Sequence, residues 1–300
     1  MTLESIAKEA SDIIRPFGET DVLLYYGIVA RKLKRYLKGK EIASRNCMPP
    51  GGFPHILRRG SNNPVIWIDD FVKETNPSLI EARKINRYNN LTPIQQTIWR
   101  YFLPHKLSDF FYATNGEKPG KSIERIFIDL DIGTGITPKK CQIVARALVE
   151  EIRKEKIIRS YCKPKPFVLW TGRSFHVYIF LKKPQPNSFY IKYIQYSKNK
   201  SDHGLIGKWA KAVENKTGIQ TCGGHQKVPQ TITLDPSQTP SGKLCRAPFS
   251  LHMSDWKTVD GIAIPLRLSQ LRDPQLIRKL QEYTPEKVVK DLNKLAKNLP

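Results

Sequence analysis

The stretch IFIDLDIGTG, residues 126–135, places the strongest constraint on the fold of this chain. Its apolar residues read as a buried strand, yet near its end stand two carboxylates, Asp129 and Asp131. Side chains two apart on a strand share a face, so these carboxylates project side by side. Two like charges so close repel each other, and a bound cation removes the repulsion. Carboxylate oxygens suit Mg²⁺ or Mn²⁺, so the stretch predicts a strand ending in a metal site, with a simple Asp turn as the alternative.

A second polar cluster stands between two predicted strands, 167–172 and 175–181. The turn that joins them gathers a hydroxyl, an arginine and a histidine at Thr171, Arg173 and His176. An arginine binds phosphate oxygens as a two-pronged fork, and a hydroxyl can donate to another oxygen. The cluster therefore predicts an anion-binding hairpin tip, while a satisfied core histidine is the alternative for His176.

The third motif is TITLDPSQTPSGKLCRAPFSLH, which begins with a short predicted strand at 231–235. Asp235 ends this strand as the Asp pair ends the first one. Arg246, Ser250 and His252 follow after a turn. A turn initiator is the alternative for the Asp-Pro pair, and a surface salt bridge is the alternative for Arg246.

In this order the three motifs resemble those of the archaeo-eukaryotic primase superfamily, most closely the archaeal primase small catalytic subunit and plasmid or viral primase-polymerases. The resemblance covers roughly residues 107–266, including FFYAT before the first motif and GIAIPL after the last. It implies template-directed nucleotidyl transfer that makes primers on single-stranded DNA from NTPs or dNTPs. It also implies two Mg²⁺ or Mn²⁺ ions held by Asp129, Asp131 and Asp235. The residues matching the family's triphosphate-binding positions are Thr171, Arg173, His176, Arg246, Ser250 and His252.

Two features depart from the family pattern. Ser174 stands where a glycine usually precedes the aromatic residue of the histidine motif, which predicts a slightly wider turn. The interval 132–170 lacks the Cys/His zinc knob that many archaeal small subunits carry. Cys222 and His225 could form a partial site with His203, but a free cysteine and a turn histidine are the favoured interpretation. Zinc is therefore not expected.

The balance of charge favours a polyanionic partner. The 300 residues include 50 Lys and Arg against 27 Asp and Glu, a formal net charge of +23. Basic side chains near phosphates release condensed counterions, so the charge favours a polyanion, which the resemblance implies is single-stranded DNA. The excess predicts a template track with Arg31, Arg35, Arg58 and Arg59, and a solvated basic helix face is the alternative.

The order of the predicted elements indicates an α+β fold with a mixed or antiparallel sheet and flanking helices. Residues 1–105 are expected to form a basic, mainly helical region with an irregular stretch at 44–65. Residues 106–300 are expected to form the primase-type catalytic core with a helical C-terminal end. Five scattered cysteines without a CxxC pair, and no apolar run of 18 residues, predict a cytoplasmic, nucleoid-associated protein without a membrane partner.

Other functions remain open at this stage. A DxD glycosyltransferase would use an Asp pair with a metal, but it accounts for neither Asp235 nor the RAPFSLH motif. A nucleic-acid-binding replication initiator would keep the fold without the chemistry. An end-joining or repair polymerase of the same superfamily would keep both. A primase large subunit or a replicative helicase, where one is needed, would be a separate chain.

Overall fold

The computed structural model describes residues 19–46, 55–57, 66–85, 87–102, 109–197, 204–253 and 259–300. It shows the α+β fold that the sequence predicts. The strands in these ranges are β1 (Glu41–Asn46), β2 (His55–Leu57), β3 (Ile66–Trp67), β4 (Phe110–Ala113), β5 (Ile123–Ile132), β6 (Phe167–Trp170), β7 (Phe175–Gln185), β8 (Thr221–Gly223), β9 (Ile232–Asp235), β10 (Leu244–Arg246), β11 (Leu251–His252), β12 (Gly261–Ile262) and β13 (Ile264–Leu266). The α-helices of six or more residues there are α1 (Glu19–Leu33), α2 (Ile68–Glu74), α3 (Pro77–Lys84), α4 (Pro93–Tyr101), α5 (Pro138–Lys154), α6 (Lys156–Tyr161), α7 (Leu205–Thr217), α8 (Leu276–Gln281) and α9 (Pro285–Ala296).

The chain divides into two compact units, each built from separate segments. Unit 1 consists of Met1–Tyr112, Arg246–Ala263 and Tyr283–Pro300. Unit 2 consists of Ala113–Cys245 and Ile264–Glu282. This division differs from the two consecutive regions, 1–105 and 106–300, that the sequence led us to expect. The difference arises because a unit is defined by contacts between distant segments, which local patterns do not encode.

Unit 1 contains a sheet that the sequence analysis did not predict. Strand β1 is antiparallel to β2, β3 and β4, and Ile42 pairs with both Ile66 and Tyr112. The expectation that 44–65 is irregular was therefore wrong for the described residues 44–46 and 55–57. The sequence EIASRN has a weak strand signal of its own, and its pairing with the strongly apolar FFYA segment decides its conformation. Helix α1 packs on α3 and α9 in the same unit.

Unit 2 is organised around a six-stranded sheet with the order β13-β6-β7-β5-β9-β8. Every pair is antiparallel except β8 with β9. Strand β5 lies between β7 and β9, and its residues Ile126, Ile128 and Leu130 are completely buried. A strand in this position is buried on both faces, which explains why its sequence is so apolar. The last residues of β5 are the two aspartates of the first motif.

The helices of unit 2 bury one face against this sheet or against each other. Helix α5 begins after Thr137, whose side chain accepts a hydrogen bond from the Lys140 amide, a typical N-cap. Its apolar face, including Val144 and Leu148, is completely buried, and the helix packs on β5 and α7. No helix in the described part of the chain is long and apolar enough to cross a membrane.

Candidate active site

The carboxylates of the first and third motifs lie next to one another in unit 2. Asp129 on β5 is the direct cross-strand partner of Asp235 on β9. Directly opposed residues of an antiparallel pair have Cβ atoms about 4.5–5.5 Å apart on the same face. Asp131 is two residues further along β5 and therefore shares that face, opposite Thr233. The sheet thus brings together the three aspartates that the sequence analysis singled out.

The charges of the neighbouring carboxylates affect the protonation of Asp131. Burial is the main cause that raises the pKa of Asp131, and the charges of Asp129 and Asp235 raise it further. Lys227 opposes them, because its ammonium lies 3.2 Å from the Asp131 carboxylate. The charges of Asp129 and Asp131 contribute, after burial, to the raised pKa of the Cys141 thiol in α5. Burial and the two neighbouring carboxylates therefore disfavour the charged form of Asp131.

Each carboxylate faces one basic side chain. Nε2 of His176 lies 3.5 Å from Asp129 Oδ2, and His176 is also the cross-strand neighbour of Asp129 on β7. His176 is 93% buried, and its imidazole ring lies edge-on to Phe127 at 4.8 Å, with Nδ1 3.4 Å from the Tyr178 hydroxyl. These contacts hold the imidazole beside the carboxylate, and they are compatible both with an anion-binding role for His176 and with the alternative of a satisfied core histidine.

The segment 224–230, between β8 and β9, carries two site residues that the sequence analysis missed as such. His225 places Nδ1 3.6 Å from Asp235 Oδ1, and Lys227 contacts Asp131 as described above. The segment lies alongside β9, because the Thr233 hydroxyl donates to the Gln226 carbonyl at 3.0 Å. Both basic side chains are largely exposed, at 59% and 66%. No local signal identifies them, since their role follows from the parallel placement of β8 beside β9.

Asp235 also organises the turn that follows it. Its carboxylate accepts hydrogen bonds from the amide and hydroxyl of Ser237, at 2.8 and 2.9 Å. Thr239 then bonds both the amide and the carbonyl of Phe127 on β5, at 3.0 and 2.9 Å. The turn-initiator interpretation of Asp235 is thus also true, and the turn fixes the carboxylate beside β5.

The hairpin between β6 and β7 closes tightly. The Thr171 amide donates to the Ser174 carbonyl at 2.9 Å, and the Thr171 hydroxyl accepts from the Ser174 amide at 3.1 Å. Gly172 has φ +97°, a conformation that favours glycine. The turn is therefore not widened by Ser174. Thr171 is buried and serves the turn, whereas Arg173 is exposed at its tip.

In unit 1, the RAPFSLH motif forms a buried polar network. Arg246, 92% buried, donates to Asp109 and, at 2.6 Å, to the Leu251 carbonyl. Ser250 is completely buried and accepts from the Phe110 amide at 2.8 Å. The interpretation of Arg246 as a surface salt bridge is therefore wrong, because its partner carboxylate is fully buried.

Two tyrosines of α1, which the sequence analysis did not single out, anchor the same motif. The Tyr25 hydroxyl donates to the Phe249 carbonyl at 2.7 Å, and the Tyr26 hydroxyl accepts from the Leu251 amide at 3.0 Å. Phe249 has φ +64°, which is strained for a residue with a side chain. The tyrosines hold that conformation in place and leave His252, the last residue of the motif, half-buried.

The other expected residues are placed as follows. Arg31 lies half-buried in the last turn of α1, and Arg35 is exposed just beyond it. Arg58, Arg59 and His203 lie outside the described residues. Cys222 has its sulfur 3.5 Å from the Thr233 hydroxyl rather than beside a second thiol. Within the described ranges, no three His, Cys, Asp or Glu side chains stand as a ready-made set of metal ligands.

Comparison with known proteins gives a match at the level of fold. No protein-family model matches the chain, and neither does any curated protein sequence. Among solved structures, the chain is similar to the polymerase domain of ligase D from Mycobacterium tuberculosis in complex with DNA. The TM-score is 0.56 and the identity 17%, with 94% of this chain and 93% of that chain covered. At this identity the likeness shows a shared α+β polymerase-domain fold.

Proposed function

We propose that the chain is a template-directed nucleotidyltransferase of the primase-polymerase superfamily, which synthesises primers on single-stranded DNA. The observation that carries the proposal is the register of three adjacent strands. It places Asp129 between Asp235 and His176, with Asp131 on the same face. The motif order and the polymerase-domain fold support the same assignment.

The carboxylate oxygens of the three aspartates are suitable ligands for a pair of divalent cations. They offer hard oxygen ligands, and the pKa of Asp131 is raised in part by the charges of its two neighbours, which a cation would relieve. Asp129, Asp131 and Asp235 would hold the two ions. When bound, Mg²⁺ or Mn²⁺ would stabilise the negative charge on the attacking and leaving oxygens.

The basic residues around the aspartates would handle the incoming NTP or dNTP. His176 is held rigidly beside Asp129, and Arg173 is exposed at the hairpin tip, so both can donate to phosphate oxygens. Thr171 would act by closing the hairpin. The motif resemblance also supports nucleotide binding by Arg246, Ser250 and His252. The buried Arg246 and Ser250 would position His252.

A second candidate is an end-joining or repair polymerase, which extends an existing primer. It is favoured by the match to a polymerase domain of a ligase bound to DNA. The two candidates use the same chemistry and differ in the DNA that they accept. A requirement for a primase large subunit or a helicase would also distinguish the primase from the end-joining or repair polymerase.

The test is incorporation of labelled NTPs or dNTPs, with Mg²⁺ or Mn²⁺, by the isolated chain. We expect products on unprimed single-stranded DNA, and none with Asp129→Asn/Asp131→Asn. Products on primed templates alone would select the end-joining or repair polymerase. DNA binding without any incorporation, under all four nucleotide and metal combinations, would instead assign a non-catalytic replication initiator.

A further inference from the structure

One segment of unit 2 carries a single sign of charge. Residues 156–200 include ten Lys and Arg and no Asp or Glu, whereas the average for the chain would place about four acidic residues there. A stretch of this length without a carboxylate cannot neutralise itself. Its positive charge has to be neutralised by another part of the chain, by solvent ions or by a partner.

The structure gathers part of this charge at the far end of β7. The Lys163 amide donates to the Phe180 carbonyl at 2.7 Å, which places the end of α6 beside that strand. The Lys182 ammonium donates to the carbonyls of Arg159 and Ser160, at 2.8 and 3.0 Å, and so caps α6. Lys182 is therefore structural, while the side chains of Arg159 and Lys163 are exposed.

Aromatic rings lie beside these cations. The ring of Tyr161 is 5.2 Å from that of Phe189 and 6.5 Å from that of Tyr193. The Lys192 ammonium lies 4.9 Å above the Tyr193 ring. Tyr161 is 39% exposed although Phe189 beneath it is buried. The cluster thus presents a supported aromatic surface among basic side chains.

The cations of this cluster have no acidic partner within the described ranges: no carboxylate there forms an ion pair with Arg159, Lys163 or Lys192. Other exposed lysines of the same unit are neutralised, as Lys216 is by Glu150 and Glu151. We name Arg159, Tyr161, Lys163, Lys192 and Tyr193 the basic-aromatic patch.

We propose that the basic-aromatic patch binds single-stranded nucleic acid, with phosphates on its cations and a base stacked on Tyr161. Basic grooves with stacking aromatics are the general means of holding unpaired strands. Lys182 is six residues along β7 from His176, about 20 Å at 3.3 Å per residue. The patch would therefore hold the strand about 20 Å along the sheet from the aspartates. The choice of nucleic acid as the occupant rests on the proposed function.

The test is direct binding, measured by fluorescence anisotropy with 30-nucleotide oligo(dT) and oligo(U) across a range of salt concentrations. We expect Arg159→Gln/Lys163→Gln to weaken binding roughly tenfold and to reduce the salt slope by about 1.4, since each phosphate contact contributes about 0.7. Tyr161→Leu should weaken binding at least about fivefold without changing the slope, whereas Tyr161→Phe should bind normally. The control Lys211→Gln/Lys290→Gln removes the same charge from exposed sites elsewhere and should change binding less than about twofold.

Thermal unfolding would first show that each variant is folded. Equal losses in the patch variant and the control would overturn the proposal, because net charge alone would then explain binding. Unchanged DNA and RNA binding, together with lost binding to phosphatidylserine vesicles, would overturn it in favour of a membrane surface. If the chain incorporates no nucleotide but the patch variants still lose nucleic-acid binding, the proposed function is wrong and the binding role of the patch is supported.

Discussion

At the scale of single residues, the ionised carboxylate of Asp131 lowers the stability of the folded chain at pH 7. Its pKa is raised, so the folded chain binds that proton more tightly than the unfolded chain does. The contribution of such a group is favourable below the usual Asp pKa and is lost as pH rises through the raised value. Asp131→Asn should therefore raise Tm at pH 7, on the order of 2 °C per kcal/mol recovered, and abolish nucleotide incorporation. Differential scanning fluorimetry at pH 7 and at about pH 3 would check this, since the gain should vanish below the usual Asp pKa.

A divalent metal should stabilise the chain only when Asp131 is present. If Asp129, Asp131 and Asp235 hold Mn²⁺, saturating the wild-type chain at a hundred times Kd stabilises it by about 2.7 kcal/mol. Scanning fluorimetry with increasing Mn²⁺ should show Tm rising for the wild type and staying level for Asp131→Asn. An equal rise in both would argue against the aspartates as ligands.

We predict that replacing Arg246 lowers the free energy of unfolding. Arg246→Met would leave the buried carboxylate of Asp109 without its guanidinium, which typically costs about 3–5 kcal/mol. The free energy of unfolding in urea should fall by that order. Arg246→Met/Asp109→Asn should be less destabilised than the single variant, because no buried charge remains uncompensated.

The double variant also separates packing from nucleotide binding. If Arg246 contacts the triphosphate as the motif resemblance implies, KM for the nucleotide should stay raised when stability is recovered. His252→Ala should raise the same KM without a loss of stability. A normal KM in Arg246→Met/Asp109→Asn would restrict Arg246 to a structural role.

At the scale of elements, the close contact between the end of β5 and the 224–230 segment sets the geometry of the site. A Cβ on Gly133 would lie 1.9 Å from the Val228 carbonyl oxygen and 2.8 Å from that of Thr231, so there is no room for it. Gly133→Ala should destabilise the chain by about 1–3 kcal/mol and displace Lys227 from Asp131. Urea unfolding and kcat for nucleotide incorporation should both fall.

Gly204 provides the matched control. A Cβ there would meet only the Gln195 carbonyl, at 3.5 Å, and the residue has φ −88°, which alanine adopts readily. Gly204→Ala should therefore leave kcat unchanged. Normal kcat in Gly133→Ala would show that the placement of the 224–230 segment is unimportant for the reaction.

At the scale of the whole molecule, the net charge of +23 makes stability and DNA binding respond to salt in opposite directions. Salt screens the repulsion among like charges, so Tm should rise between 50 and 200 mM NaCl. Binding that neutralises about four phosphates of a single strand should weaken roughly fiftyfold over the same range, since the log–log slope is about −2.8. Scanning fluorimetry and anisotropy on one sample series would measure both. DNA affinity that does not change with salt would contradict an electrostatic template track that includes Arg31 and Arg35.

The sequence by itself determined the elements that carry strong local signals. The apolar run before Asp129 and the two apolar segments on either side of the turn at 171–174 predict their strands and the hairpin, because periodicity acts between near neighbours. The motif order led to the same three aspartates that the sheet brings together. These features need no knowledge of the rest of the chain.

The tertiary structure alone decided which distant residues meet. It made a strand of EIASRN, buried Arg246 against Asp109 and set Lys227 beside Asp131. Each of these results depends on pairing between segments far apart in sequence, whose register is set by sheet contacts and burial rather than by local preference. The patch around Tyr161 has the same origin: its charge can be counted in the sequence, but its aromatic surface exists only because α6 packs beside β7 and the short helical segment 187–194.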